Sequence, residues 1–217
     1  MKIEVKNLSK SFKENQILDN VSITFSEGKI YGLAGRNGSG KSVFLKIITG
    51  LYAKDAGTIL YNSKEINFQK EFPHGVGALI EKPNFFNNLS GYENLKLLAN
   101  IQNKISNDEI LKSLEIVNLT NEKDKKYAKY SLGMKQKLGI AQAIMEKPEV
   151  IILDEPFNGI EEFSVKKIKE YLKSLKKQGK TIILSSHIKE DLQELCDFIY
   201  LFDDKKVKEI THETENI

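Results

Sequence analysis

Residues Leu33 to Phe44 read LAGRNGSGKSVF: an apolar run breaks into a glycine-rich loop that ends in lysine and serine. Gly35, Gly40, Lys41 and Ser42 match the spacing G-x-x-x-x-G-K-[ST], with Gly38 a further glycine in the turn. Strand-like IYGLA precedes the loop and helix-like SVFLKIITG follows it, which is the context the chemistry needs. Glycines let backbone N–H groups approach an anion, and the helix aims its positive end at the same place. Asn37 and Ser39 lie inside the loop and are grouped with it as phosphate-binding positions. Lys41 suits contact with β- and γ-phosphates, and the Ser42 hydroxyl suits Mg2+.

Such a loop serves kinases, GTPases and ATPases alike, so the activating group decides the chemistry. VIILDEP, Val150 to Pro156, ends an apolar run in two adjacent carboxylates. In open α/β sheets the C-terminal ends of strands are where ligands bind. Asp154 suits contact with magnesium. Glu155 suits the general base that deprotonates an attacking water, a role worth about 10²–10⁴ in rate. His187 follows a third apolar run, TIILSSH, where its imidazole would donate to the γ-phosphate or steady the water against Glu155. His74 and His212 have no such context and read as incidental.

Composition sets the outer limits. With 217 residues, 40% hydrophobic and 29% charged, the chain has the make-up of an ordinary globular protein. No stretch approaches the run of about 20 apolar residues that a membrane span needs, and MKIEVKNLSK has no secretory-signal centre, so a cytoplasmic location is expected. Cys196 is the only cysteine, which leaves no internal disulfide or cysteine metal cluster, and it reads as a buried, inert thiol. The net charge is +3 and Arg36 is the only arginine, so base recognition by guanidinium forks is nearly absent and no direct nucleic-acid contact is expected. The lysine-rich KKIKEYLKSLKK, from Lys166 to Lys177, carries a narrow apolar stripe of Ile168, Leu172 and Leu175. It reads as an outer helix with a solvated face.

Along the chain, alternating runs at Ile3 and Val5 and at Val21, Ile23 and Phe25, then KIYGLAG, GTILYN and VGALIE, predict strands. From Ser90 to about Met145 the period becomes helical, with Ser106 and Glu109 forming a capping-box pattern. VIILD, TIILSS and FIYLF then predict parallel strands covered on both faces. DDKK predicts a turn into a last short strand, and THETENI predicts a frayed tail.

These motifs, in this order and with YSLGMKQKLGIAQAI between them, resemble the nucleotide-binding subunits of ABC transporters over almost the whole chain. The resemblance implies one ATP-binding domain over residues 1–217. Its α/β fold would be a P-loop NTPase core with an N-terminal antiparallel β subdomain and an inserted α-helical subdomain at about 82–147. It implies ATP as the nucleotide and a signature stretch at Ser131 and Gly133 that binds the γ-phosphate held by a second subunit. Leu132 and Met134 depart from the usual glycine and glutamine there, yet a hydroxyl and free N–H groups at a helix start still suit phosphate. It implies that Phe12 stacks on adenine and that Phe85 and Phe86 border a groove for a membrane subunit. Glu81 stands where most members have glutamine; its carboxylate still reaches magnesium but adds charge near the triphosphate. Glu161 replaces the usual aspartate after VIILDEP, one methylene longer at a cross-subunit contact. ALIEKPNFFNNLSGYENL with YSLGMKQKLGIA is similar to the ATPases of bacitracin-resistance and lantibiotic-immunity exporters.

The expectation is therefore an ATPase that pairs head-to-tail around two ATP molecules, as a homodimer or heterodimer. Having no membrane span, it would recruit a separate permease at the inner face of the cell membrane. Three rivals are distinguishable. An ABC-type ATPase acting on DNA or the ribosome would carry a coiled coil, zinc module or second cassette, absent here. A low-turnover nucleotide-binding regulator would bind ATP firmly without hydrolysis. A small-molecule P-loop kinase leaves YSLGMKQ without a purpose.

Overall fold

The computed structural model describes residues 1–68 and 71–210, so the THETENI segment and His212 lie outside the described residues. The long N-terminal hairpin pairs β1 (Ile3–Phe12) with β2 (Asn15–Phe25). Together with β4 (Ala56–Tyr61) and the short β5 (Lys64–Glu65) they form an antiparallel sheet of order β2-β1-β4-β5. The second sheet holds β3 (Ile30–Ala34), β6 (Val76–Leu79), β7 (Val150–Leu153), β8 (Thr181–Ser185), β9 (Phe198–Asp203) and β10 (Lys206–Ile210). Its order is β10-β9-β3-β8-β7-β6. All neighbours are parallel except β9 and β10, a hairpin whose turn residues Asp204 and Lys205 both take positive φ, as a right-twisted two-residue turn requires.

The uninterrupted apolar runs are explained by what covers this sheet. Alternate residues of β7 divide between two clusters: Val150 and Ile152 pack with α1 (Lys41–Ile48) and the antiparallel sheet, Ile151 and Leu153 with helices on the other face. β8 obeys the same period, with Ile183 on one side and Ile182 and Leu184 on the other. The second face is covered by α2 (Gly91–Gln102), α3 (Asn107–Ile116), α4 (Leu132–Ile144), α5 (Glu162–Lys177) and α6 (Lys189–Leu195). Ile168, Leu172 and Leu175 of α5 are buried, while Lys166 and Lys177 are exposed and Lys169 is buried in ion pairs with Asp191 and Glu194. Cys196 is buried and its thiol pKa is pushed far up by burial, so it is chemically inert.

Helices α2 and α3 each begin with a capping box, Ser90 with Glu93 and Ser106 with Glu109. Between β6 and α2 the chain has no regular structure and is held by Asn94, whose side chain is 1% exposed. Its Oδ1 accepts from the Phe86 N–H at 2.9 Å, and its Nδ2 donates to the Phe86 carbonyl at 3.1 Å and the Ser90 carbonyl at 2.9 Å. Removing this amide leaves the Phe86 N–H without its partner and takes one of two donors each from the Phe86 and Ser90 carbonyls. Asn94→Ala should destabilise the protein by about 2–3 kcal/mol and lower the melting temperature by about 5–10 °C. Urea and thermal melts followed by circular dichroism check this.

Candidate functional site

Because β3, β8, β7 and β6 are adjacent and parallel, their C-terminal ends reach one edge of the sheet. β3 delivers the glycine loop, β7 Asp154 and Glu155, β8 Ser185 through His187, and β6 Glu81. The loop is tight enough to need its glycines. A Cβ on Gly35, at φ 138°, would lie 2.5 Å from the Phe202 carbonyl oxygen and 2.8 Å from Ser39 Oγ. Gly40, at φ 102°, caps α1.

Lys41 is buried and folds back on its own loop, its Nζ donating to the carbonyls of Gly35 at 2.6 Å and Arg36 at 3.1 Å. Burial lowers its pKa, and the nearby carboxylates of Glu155 and Asp154 oppose that shift. Ser42 follows in the first turn of α1, half-buried.

The two carboxylates diverge, as the end of a strand permits. Asp154 is 5% exposed, and its Oδ1 accepts from Ser185 Oγ at 2.5 Å. Glu155 takes the left-handed conformation at φ 46°, a strained state for a side chain of this size. Its N–H donates to Ser185 Oγ at 2.9 Å and its carbonyl accepts from Gln136 Nε2 at 3.0 Å. His187 Nδ1 donates to Glu155 Oε2 at 2.8 Å. The other oxygen, Oε1, is buried without a hydrogen-bond partner, and so is Ser39 Oγ in the glycine loop. Such orphans cost about 1–3 kcal/mol each, and an incoming water or phosphate removes the cost. The donor set also fits a phosphate-bound magnesium ion: a serine hydroxyl and carboxylates, and no cluster of three acidic, histidine or cysteine groups among the described residues that would cage a metal without phosphate.

Ser131 and Gly133 open α4, away from these contacts. Ser131 Oγ accepts from the Met134 N–H at 3.2 Å and caps the helix. A Cβ on Gly133 would lie 2.2 Å from the Gly159 carbonyl oxygen, so this turn packs directly on the loop that follows Glu155. Among the described residues no hydrogen bond joins Ser131 or Gly133 to Lys41 or Ser42. Leu132 and Gln136 share a cavity of about 600 Å³ with Glu81, Asp154, Glu155 and Asn158. Phe12 is 43% exposed, with the Tyr52 ring against its edge at 5.7 Å and Lys10 Nζ 5.1 Å from its centre. Phe85 and Phe86 separate: Phe85 packs on Tyr127 at 5.4 Å, whereas Phe86 is 60% exposed.

Three residues at the site escape a motif reading. Ser185 ties both carboxylate residues to β8, and a hydroxyl directly after an apolar run is its only trace in the sequence. Gln136 is a buried amide on α4, beside the buried Lys137. Lys46, which pairs with Glu81, is marked only by its place one helical turn beyond Ser42.

A family model described as ABC transporter matches residues 18–158. The chain is 45% identical to the uncharacterized ABC transporter ATP-binding protein YybJ of Bacillus subtilis, over 90% of this chain and 89% of that one. It is 41% identical to the bacitracin transport ATP-binding protein BcrA of Enterococcus faecalis, over 91% and 65%. It is 37% identical to the lantibiotic transport ATP-binding protein SrtF of Streptococcus pyogenes, over 99% and 93%. Among solved structures it resembles an ATP-binding subunit of an ABC transporter, with TM-score 0.87, 28% identity and 97% and 90% coverage. It also shares the fold of a dimeric ATP-binding cassette in a post-hydrolysis state bound to ADP and Pi, with TM-score 0.89, 23% identity and 98% and 99% coverage. The chain belongs to the ABC transporter family as an ATP-binding, ATP-hydrolysing subunit.

Glu161 turns inward within its own chain. Its Oε1 accepts from Lys137 Nζ at 2.6 Å and Ser164 Oγ at 2.6 Å, joining α4 to the start of α5. Burial raises its pKa, but the hydrogen bonds from Lys137 and Ser164 outweigh burial and carry it from 4.5 down to about 2. A depressed carboxylate stabilises the fold fully above the unfolded value, and that stability is lost as pH falls through the folded value. About half of the Glu161 side chain is exposed, which limits the contribution to about 1 kcal/mol. Lys137→Met should therefore be less stable than wild type at pH 7, and the gap in urea midpoint should close as pH drops from about 4.5 towards 2. A gap independent of pH would assign the loss to packing alone.

Proposed function

We propose that this chain powers export of an antimicrobial peptide or antibiotic through a separate membrane permease, working as an ATP-dependent dimer. The observation that carries the catalytic part is the Glu155–His187 pair: one carboxylate oxygen is fixed by the imidazole and the other is buried without a partner. That arrangement suits a base waiting for a water. Glu155 Oε1 takes the proton as the water oxygen bonds to the γ-phosphorus and the bond to the β–γ bridging oxygen breaks. His187 keeps Oε2 from competing for the same water. Lys41 exchanges two loop carbonyls for phosphate oxygens. Magnesium, held by Ser42, Asp154 and Glu81, would neutralise charge on the phosphates.

Phe12 is exposed enough to stack on adenine, and Ser131 with Gly133 would complete the partner's site, being held apart from the glycine loop of their own chain. Dimerisation is also supported by the dimeric cassette of the same fold. The cargo class rests on the bacitracin and lantibiotic relatives. Among the described residues no helix is long and apolar enough to cross a membrane, consistent with a peripheral subunit on the cytoplasmic face. The exposed Phe86, beside a cavity lined by Ile80, Pro83, Leu97 and Leu98, offers the permease an apolar seat.

Light scattering of Glu155→Gln with and without ATP tests the assembly, with Lys41→Ala added as control. Mass should double with ATP only when Lys41 is present. A monomer that binds ATP in calorimetry contradicts the autonomous pair.

A further inference from the structure

The Glu81 carboxylate does not stand alone. It pairs with Lys46 Nζ across the gap between β6 and α1. Lys46 lies four residues after Ser42 on α1, hence on the same helix face and about 6 Å further along the axis. Its side chain is only 13% exposed although Glu81's is 61% exposed, so the lysine is the fixed partner. Tyr52 supplies the other wall: Lys46 Nζ lies 4.7 Å from the ring centre and 3.4 Å from the hydroxyl. Glu81 itself sits at φ 61°, a left-handed position for a non-glycine residue, two residues past the end of β6. Held there, it starts the segment that leads through Pro83 to the exposed Phe86.

We infer that Lys46 is a positioning residue that holds Glu81 beside the magnesium-ligating end of α1 and cancels its charge there. This rests on the proposed placement of the triphosphate at Lys41 and Ser42. The glutamine of most family members brings no charge to this position. A bare carboxylate would place one unit of negative charge within a screening length of a polyanion, where repulsion is substantial. The Lys46–Glu81 pair is neutral as a unit, so it keeps carboxylate chemistry at the strand end without that repulsion. Glu81 also belongs to the loop that borders the apolar seat, so the pair ties the helix of the nucleotide loop to the proposed permease surface.

Calorimetric titration with ATP, once with magnesium and once with EDTA, separates this from ordinary packing. Lys46→Met keeps the apolar stem and removes the charge, and it should weaken ATP binding about tenfold under both conditions. Adding Glu81→Gln to Lys46→Met should restore the affinity in EDTA to within about threefold of wild type, because the uncompensated charge is then gone. Lys46→Arg should stay near wild type. Melting temperatures of all variants report whether each is folded. Wild-type affinity in Lys46→Met overturns the inference, as does a double variant as weak as Lys46→Met in EDTA. A wild-type chain that binds no ATP overturns the nucleotide-site reading and takes this inference with it.

Discussion

Everything at the site depends on parallel pairing of β7 between β6 and β8. Parallel strands bring their C-terminal ends to the same edge, so residues more than a hundred positions apart in the chain arrive together without any loop having to find them. Glu81, Asp154 and Ser185 are neighbours for that reason alone. The pairing is held by the two covered faces: Val150 to Leu153 and Thr181 to Ser185 are all buried, and the apolar residues among them alternate between two clusters, which fixes the register. A slip by one residue would turn both faces over, and with them the direction of Asp154 and Glu155.

At that edge the polar groups are either tied down or left free, and the division has chemical meaning. One hydroxyl, Ser185 Oγ, donates a hydrogen bond to Asp154 Oδ1 and accepts one from the Glu155 N–H, so it sets the two acids at different angles. Glu155 is held in a strained backbone conformation by this bond and by Gln136 on α4, which lies between β6 and β7 in the chain. Glu155, the proposed base, is thereby linked to the helix that starts at Ser131. Lys41, by contrast, is bonded only to carbonyls of its own loop, partners it can exchange for phosphate.

Much of this was legible in the sequence because the signals were local. A continuous apolar run says that a strand is covered twice, and glycine spacing followed by Lys41 and Ser42 marks a phosphate loop. Ser106 with Glu109 announces a helix start. What stayed hidden depends on tertiary contact. Ser185 and Ser186 look alike in sequence, and only the end of β8 and its pairing with β7 decide that the Ser185 hydroxyl reaches Asp154. Phe85 and Phe86 are adjacent aromatics, yet one packs on Tyr127 and the other faces outward. The bond of the Glu161 carboxylate to Lys137 joins two helices and has no trace in the local sequence.

The claim at the centre of this account is that Glu155 activates the water. Phosphate release by Glu155→Gln, measured beside ATP affinity, addresses it most directly. Turnover should fall about 10²–10⁴-fold while the dissociation constant for ATP stays within about threefold, since the amide keeps the shape and gives up the base. Hydrolysis within a few-fold of wild type would contradict the assignment and move the search for the base to another group at the edge of the sheet.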